Sequence, residues 1–329
     1  MTNRSDEQDR KDASVTIFIV NYRTADLVID CLSSLAVPQT VPDGTQIVVV
    51  DGASDDGSVE KLTRAIQKHG WSNVSCLPLH YNGGFAYANN RGIRYAETQF
   101  GKTRYSILLN PDTIARPGSI TRLVEFMERH PQVGIAGSAL EHLDGRPQAC
   151  AFRFPSIAAE LESEARLGPL SHLLDRWRIA PDMSELPVQI DWVSGACMVV
   201  RAEVMQELKG LDENYFLYYE EVDFCRRAMA AGWPCWHVPG SRVVHLVGQS
   251  TGVTRHQRPA RRPTYWFSSR RRYYVRHHGT LYAMGADLAW LGGHLIWRLR
   301  LIIERRTAEL TPKLLRDFLR NMFKSHRII

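Results

Sequence analysis

The sequence predicts an α/β chain built on a mostly parallel central sheet flanked by helices, continued by a basic helical C-terminal region. Three observations carry this. Unbroken apolar runs at 15–20 (VTIFIV), 47–50 (IVVV) and 107–109 (ILL) have the character of strands buried on both faces. The first two are each followed by a loop and then by apolar residues at helical spacing, the alternation of a parallel sheet with crossover helices. The charge is also split along the chain. From Thr251 onward there are 17 Lys+Arg against 4 Asp+Glu, a balance of +13, while the rest carries 24 against 31, or −7, within a net charge of +6.

A length of 329 residues suits one large domain with an appendage, or two domains, and 44% hydrophobic with 23% charged residues is the composition of a globular chain. Residues 1–14 are polar and lack the apolar core of a signal peptide, so a disordered tail is expected there. The six cysteines form no CxxC pair and no metal-ligand spacing, which fits reduced thiols filling space in a cytoplasmic protein.

Taken in order, the 15–20 strand leads through Asn21-Tyr22-Arg23 to Thr24, a candidate cap for a helix with Leu27, Cys31, Leu32 and Leu35 on one face. The 47–50 strand ends in Asp51-Gly52-Ala53-Ser54-Asp55-Asp56-Gly57-Ser58, and Ser58 is placed to cap the next helix, closed by Gly70. A third strand, 74–79, runs into Tyr81-Asn82-Gly83-Gly84-Phe85. These glycines let backbone approach a ligand, and the helix start behind them can offer N–H groups to phosphate. The pattern is not GxGxxG, which leaves a dinucleotide fold without support. The helix at 85–100 closes at Gly101, the 107–109 strand follows, a helix from Gly118 stops before Pro131, and 133–136 is a short strand. Residues 140–187, with five prolines, read as an excursion of loops and short helices over the site. Order returns at Trp192-Val193-Ser194-Gly195, in a helix from Val222 to Gly232, and in a last strand at 235–238.

Several acids stand where such a sheet would hold a ligand, along the carboxyl ends of its strands. Asn110-Pro111-Asp112 follows a buried strand; it is either a simple turn or a carboxylate set to hold a divalent cation against a diphosphate. Asp51 can accept from a pyrimidine imide or a ribose hydroxyl, whereas Asp55 and Asp56 divide evenly between that role and turn chemistry. Glu220, Glu221 and Asp223 lie at a helix start, where acids complement the macrodipole. The aromatics Tyr215, Phe216, Tyr218 and Tyr219 just upstream would desolvate a carboxylate and raise its pKa, as a general base requires. His245 is either structural or, with Asp112, part of a metal site of mixed oxygen and nitrogen ligands.

The ordered set VTIFIVNYRTADLVIDCLSSL, VVVDGASDDGSVE, NGGFAYANNRGI, LLNPDT, WVSGACMVVR, FLYYEEVDFCRRAMAAGW and VVHLVGQS resembles the family-2 glycosyltransferases, in particular their bacterial rhamnosyltransferase-like branch. The resemblance spans about residues 15–250. It implies a GT-A fold with a Rossmann-like nucleotide-binding half, a nucleotide-sugar donor, a divalent cation (Mg2+ or Mn2+) and inversion at the anomeric carbon. It implies a donor site of Asn21, Arg23, Asp51, Asn82, Gly84, Phe85, Asn90, Asn110 and Asp112, with Asp51 reading the base. Asp112 and His245 match metal ligands. Glu221 matches the catalytic base, flanked by Glu220 and Asp223, and Trp192, Gly195 and Tyr219 would frame the acceptor. Asn110 departs from the first acid of an Asp-x-Asp motif, leaving fewer charges on the metal, and Glu221 stands where Asp is usual, a methylene longer in reach.

The implied activity is transfer of a sugar, L-rhamnose from dTDP-rhamnose first and UDP-linked hexose or galactofuranose next, to a polyprenyl-diphosphate-linked or polysaccharide acceptor in cell-wall, O-antigen or exopolysaccharide synthesis. In the tail, Asp287, His294, Arg298 and Arg300 interrupt the apolar stretch 281–303, which argues against a membrane span. An interfacial helix fits better, with Trp290 and Trp297 among apolar residues and Arg300, Arg305 and Arg306 towards anionic headgroups at the inner face of the plasma membrane. A packed helical subdomain or a homodimer contact is the alternative. Nucleic-acid binding would use the same arginines but leaves Asp51, Asp112 and Glu221 without a role, and a carbohydrate-binding module without catalysis would tolerate the loss of Glu221. No nucleic-acid partner is therefore expected.

Overall fold

The computed structural model describes residues 15–248, 254–255, 258–307 and 311–322; the tail expected at 1–14 lies outside them. The strands are β1 (Val15–Asn21), β2 (Gln46–Asp51), β3 (Val74–Pro78), β4 (Tyr105–Leu109), β5 (Thr113–Ala115), β6 (Ile135–Glu141), β7 (Pro147–Gln148), β8 (Ala151–Phe152), β9 (Val188–Ile190), β10 (Trp192–Val193), β11 (Cys197–Arg201) and β12 (Cys235–His245). The helices are α1 (Ala25–Leu35), α2 (Ser58–His69), α3 (Gly84–Phe100), α4 (Ser119–Arg129), α5 (Ile157–Ala165), α6 (Gly168–Leu173), α7 (Ala202–Glu207), α8 (Glu220–Ala230), α9 (Thr264–His278), α10 (Thr280–Ile303) and α11 (Leu314–Met322).

The main sheet runs β3-β2-β1-β4-β11-β6-β12-β5. β1 lies parallel to β2 and β4, β2 to β3, and β6 to β12, while β11 is antiparallel to both its neighbours and β5 to β12. The central strands are buried on both faces, which is why they read as unbroken apolar runs. One face packs Ile17, Ile19, Ile47, Val49 and Ile107 against Val28 and Leu32 of α1. The other receives α3, which comes so close that a Cβ at Gly92 would stand 2.8 Å from Val50 and 3.0 Å from Phe18. Five of the cysteines are buried and Cys76 is partly so, and none is in a disulfide.

Local details differ from the sequence reading for clear reasons. Thr24 precedes α1, but its hydroxyl donates to Asn21 Oδ1 at 3.0 Å instead of capping the helix. Ser58 is the first residue of α2, and Asp56 Oδ1 does the capping, accepting from Ser58 N at 3.0 Å and from its hydroxyl at 2.5 Å. β12 runs on to His245, beyond the 235–238 read from the sequence, through an irregularity between Val238 and Arg242.

The chain divides into two compact units. Residues up to 151, with 183–216 and 220–250, hold the main sheet, and 152–182, 217–219 and those from 251 form the second. The segment expected as an excursion over the site thus supplies α5 and α6 to the second unit. There α5 packs along α10, where a Cβ at Gly293 would stand 2.8 Å from Leu161 O. Arg270, 2% exposed, ties the unit together: Nε to Glu160 Oε1 at 3.0 Å, Nη1 to Asp287 Oδ1 at 2.6 Å and Nη2 to Ala286 O at 3.1 Å. Trp290 and Trp297 of α10 point inward, and Trp290 stacks on Phe318 at 3.9 Å. The tryptophans placed at a membrane interface by the sequence are core residues of this unit.

Candidate active site

Within the sheet unit, the strand ends bring distant residues into one neighbourhood. β1 and β2 end in register, Asn21 opposite Asp51. Asp51 is buried, and its Oδ1 accepts from Asn21 Nδ2 and from the Ser54 hydroxyl, both at 2.6 Å, while Oδ2 accepts from Ser54 N at 3.0 Å. A carboxylate has about four lone-pair sites, so this network fixes the group and leaves Oδ2 able to accept once more. Arg23 joins through its N to the Ser54 hydroxyl at 2.9 Å and through an exposed ion pair with Asp55 at 2.5 Å. Arg23, Ala53 and Asp55 all have positive φ (59°, 58° and 48°), a concentration of left-handed backbone outside glycine that clusters at ligand-binding loops.

Asn82 lies beside Gly52 at the same strand ends. Its side-chain oxygen would lie 3.8 Å from a Cβ on Gly52, and it accepts from Gly84 N at 3.0 Å. Gly84 has φ +87°, and a Cβ there would stand 2.0 Å from Phe216 O, which already accepts from Phe85 N at 2.9 Å. Only glycine fits. The start of α3 is thereby locked to the loop before α8. Asn90 fastens the next stretch: its amide donates to Leu211 O at 2.9 Å and Glu213 Oε1 at 3.0 Å and accepts from Leu211 N at 3.0 Å. Its side chain is spent on that loop, which gives it a positioning character.

At the end of β4, Asn110 N donates to Ala196 O at 3.0 Å, joining the Asn-Pro-Asp turn to the stretch beside Gly195. A Cβ on Gly195 would stand 3.8 Å from Glu221 Cβ and 3.8 Å from the Phe85 ring, so three residues from separate parts of the sequence meet at this bare backbone. Trp192, partly buried, lies on β10 three residues earlier. β5 pairs with β12 so that Thr113 faces His245, and this register brings His245 Nε2 to 3.5 Å from Asp112 Oδ1. Asp112 is buried and Leu246 N donates to its backbone oxygen at 2.9 Å. Among the described residues no group of three or more His, Cys, Asp or Glu forms a metal cage. One oxygen and one nitrogen donor side by side do fit a cation that takes the rest of its shell from a diphosphate and water.

α8 opens with the acids. Glu220 is buried, and neither its Oε2 nor that of Glu221 has a hydrogen-bond partner among the described residues. Burial pushes the Glu221 carboxyl up to about 7, and burial with the neighbouring Glu221 charge holds Glu220 well above the usual carboxylate range. Asp223 differs in kind. It is fully buried and bound by Arg227 Nε at 2.7 Å and Tyr215 OH at 3.4 Å, so its charge is answered within the fold. Tyr218 and Tyr219 both have φ 69°. Tyr219 belongs to the second unit, its ring 5.5 Å from that of Tyr273. The sequence reading missed Ser54, which holds both Asp51 oxygens, and the Phe216 and Ala196 carbonyls, for which a sequence offers no signal.

The profile of the family described as "Glycosyltransferase like family 2" matches residues 12–274. The N-acetylglucosaminyl-diphospho-decaprenol L-rhamnosyltransferase of Mycobacterium tuberculosis is 31% identical over 283 residues, 82% of this chain and 83% of that protein. The rhamnosyltransferase WbbL of Escherichia coli K12 is 25% identical over 49% of this chain and 60% of its own length. Among solved structures, the mannosyltransferase PcManGT of Pyrobaculum calidifontis, in complex with GDP-Man and Mn2+, superposes with a TM-score of 0.56 at 16% identity, covering 91% of this chain and 77% of that one. Staphylococcus aureus TarS 1–349 with UDP gives 0.52 at 15% identity, covering 94% and 80%. These structural likenesses bear on the fold.

Proposed function

The chain belongs to glycosyltransferase family 2 and is a glycosyltransferase with a GT-A fold, and from that premise we propose that it moves L-rhamnose from dTDP-rhamnose, with inversion, to a hydroxyl of a polyprenyl-diphosphate-linked sugar. The 31% identical M. tuberculosis protein, by its name a rhamnosyltransferase acting on such a lipid-linked acceptor, supports the choice of sugar and acceptor. The observation that carries the chemistry is Glu221: a carboxylate poised near neutral pH, with an uncommitted oxygen, against Gly195.

In this reading Asp51, fixed by Asn21 and Ser54, accepts from the imide N–H of the base with its remaining lone pair. The glycine-lined start of α3 admits the donor's backbone-facing side, with Phe85 along the sugar. Asp112 and His245 would hold a divalent cation, which would supply positive charge to the diphosphate leaving group. Glu221 takes the proton from the acceptor hydroxyl. The freed oxygen then bonds to the anomeric carbon as the carbon–oxygen bond to the diphosphate breaks on the opposite face. Trp192 and Gly195 line the acceptor side. The reaction belongs at the inner face of the plasma membrane, where such acceptors are presented.

The test is transfer from a panel of dTDP-, UDP- and GDP-sugars to a short-chain prenyl-diphosphate N-acetylglucosamine, with and without Mg2+ or Mn2+. Rhamnosyl product that requires the metal is expected, together with thermal stabilisation by donor plus metal that Asp112→Asn loses. A product from another nucleotide-sugar removes the rhamnose assignment, and donor stabilisation that survives in Asp112→Asn removes the metal assignment.

A further inference from the structure

Helix α10 has two unlike faces. Inward it presents Ala283, Ala286, Trp290, Gly293 and Trp297 to the rest of the second unit. Outward it presents Leu281, Met284, Leu288, Leu295, Leu299 and Ile302, each between 46% and 84% exposed. Their spacings of 3, 4, 7, 4 and 3 keep all six within about 60° of one line along the helix, with Gly292 filling the gap between Leu288 and Leu295. The stripe runs from Leu281 to Ile302 of the 24-residue helix, about 32 Å. Scattered exposed leucines need no explanation, but an unbroken stripe of this length does. No helix among the described residues is long and apolar enough to cross a membrane.

The charges around the stripe say what covers it. Arg298 is exposed on its flank, and Arg305 and Arg306 are exposed just past the helix end. Among the described residues, the exposed acid at this helix end, Glu304, is paired with Arg300 and Arg306. On α11, which reaches α10 through the Trp290–Phe318 stack, Arg316 and Arg320 are exposed as well, as is Lys313 just before it. A second copy of the chain would set this basic margin against an identical one, with few acids to answer it. A bilayer containing acidic lipids answers both features, apolar chains for the stripe and headgroup charge for the arginines.

We propose that the outward face of α10 lies in the interface of an anionic lipid bilayer, its leucines among the acyl chains and Arg298 and Arg305 at the headgroups. The inference deepens the transferase reading and rests on it only for the acceptor's being a membrane lipid. The full chain is measured for binding to vesicles of phosphatidylcholine, alone and with about a third phosphatidylglycerol, with neither donor nor acceptor present. Binding is expected to the mixed vesicles and to weaken with salt. Leu288→Gln/Leu295→Gln/Leu299→Gln is expected to reduce it at least about tenfold, and Arg298→Glu/Arg305→Glu to abolish the preference for phosphatidylglycerol. A solvent-sensitive fluorophore on Leu288→Cys is expected to brighten on the mixed vesicles. Unchanged binding by the triple variant, or a wild-type dimer in sedimentation that the triple variant converts to monomer, overturns the proposal. Transfer to a water-soluble acceptor analogue, expected to be unchanged in both variants, reports separately on the transferase reading.

Discussion

Glu221 concentrates the tension between stability and function. Its carboxyl is held at about 7 against an ordinary 4.5, chiefly by burial. Between those values the folded state binds the extra proton, so the stability this group contributes is complete below 4.5 and declines as the pH rises through 7. A base, by contrast, works only when deprotonated. Transfer is therefore expected to rise across pH 7 while thermal stability falls. Glu221→Gln removes the rise in transfer and lessens the fall in stability, leaving the share that buried Glu220 contributes. We expect a loss of about 10²–10⁴-fold in kcat with donor binding retained, and a gain on the order of 3 kcal/mol in unfolding free energy at pH 8 that vanishes near pH 4. Parallel pH series of kcat and of melting temperature check both; a variant no more stable than wild type at pH 8 would contradict the burial account. Asp223 provides the contrast. Its pairing with Arg227 means that Asp223→Asn leaves a partly buried guanidinium without its carboxylate, and the loss should register as unfolding before it registers in kcat.

At the scale of elements, much of the site depends on backbone meeting backbone. The apolar runs, the helix periods and the acids at strand ends were all legible, because burial and capping leave patterns in residue type. The junctions were not. Nothing in Asn82-Gly83-Gly84 says that its partner is the carbonyl of Phe216, or that Gly195 stands between Phe85 and Glu221, since these contacts set residues 84 and 85 against residues more than 100 positions later. The pairing of His245 with Asp112 was one of two readings in the sequence, and the β5–β12 register sets the two side chains 3.5 Å apart. The two glycines make unlike predictions. Gly84→Ala forces a Cβ to 2.0 Å from a carbonyl at φ +87° and should cost at least about 2 kcal/mol in denaturant unfolding. Gly195→Ala finds its nearest neighbours at an ordinary 3.8 Å, so the fold should hold while the added methyl crowds the space beside Glu221 and raises KM for the acceptor.

At the scale of the whole molecule, the sequence suggested a boundary near residue 250, where the charge changes sign. The chain instead builds its second unit from 152–182, the short 217–219 and the residues from 251, and the reason lies in what the two longer stretches lack alone. α5 carries Glu160 and Glu162, both buried, and Glu160 finds its partners in Arg270 and Tyr274, more than 100 residues later. Asp287 of α10 depends on the same arginine and on Arg271 at 2.8 Å. A buried ion network contributes little net attraction while intact, but removing its centre strands the carboxylates it served. Arg270→Met is therefore expected to cost about 3–5 kcal/mol, and a chain ended at residue 250 should leave 152–182 open to protease although the main sheet is complete. Limited proteolysis of wild type, Arg270→Met and the shortened chain distinguishes the alternatives. Cleavage confined to 152–182 in both altered proteins, joined by the C-terminal region in Arg270→Met, supports a unit assembled around Arg270, whereas a shortened chain as resistant as wild type would mean that residues 15–250 are self-sufficient, as the charge pattern alone implies.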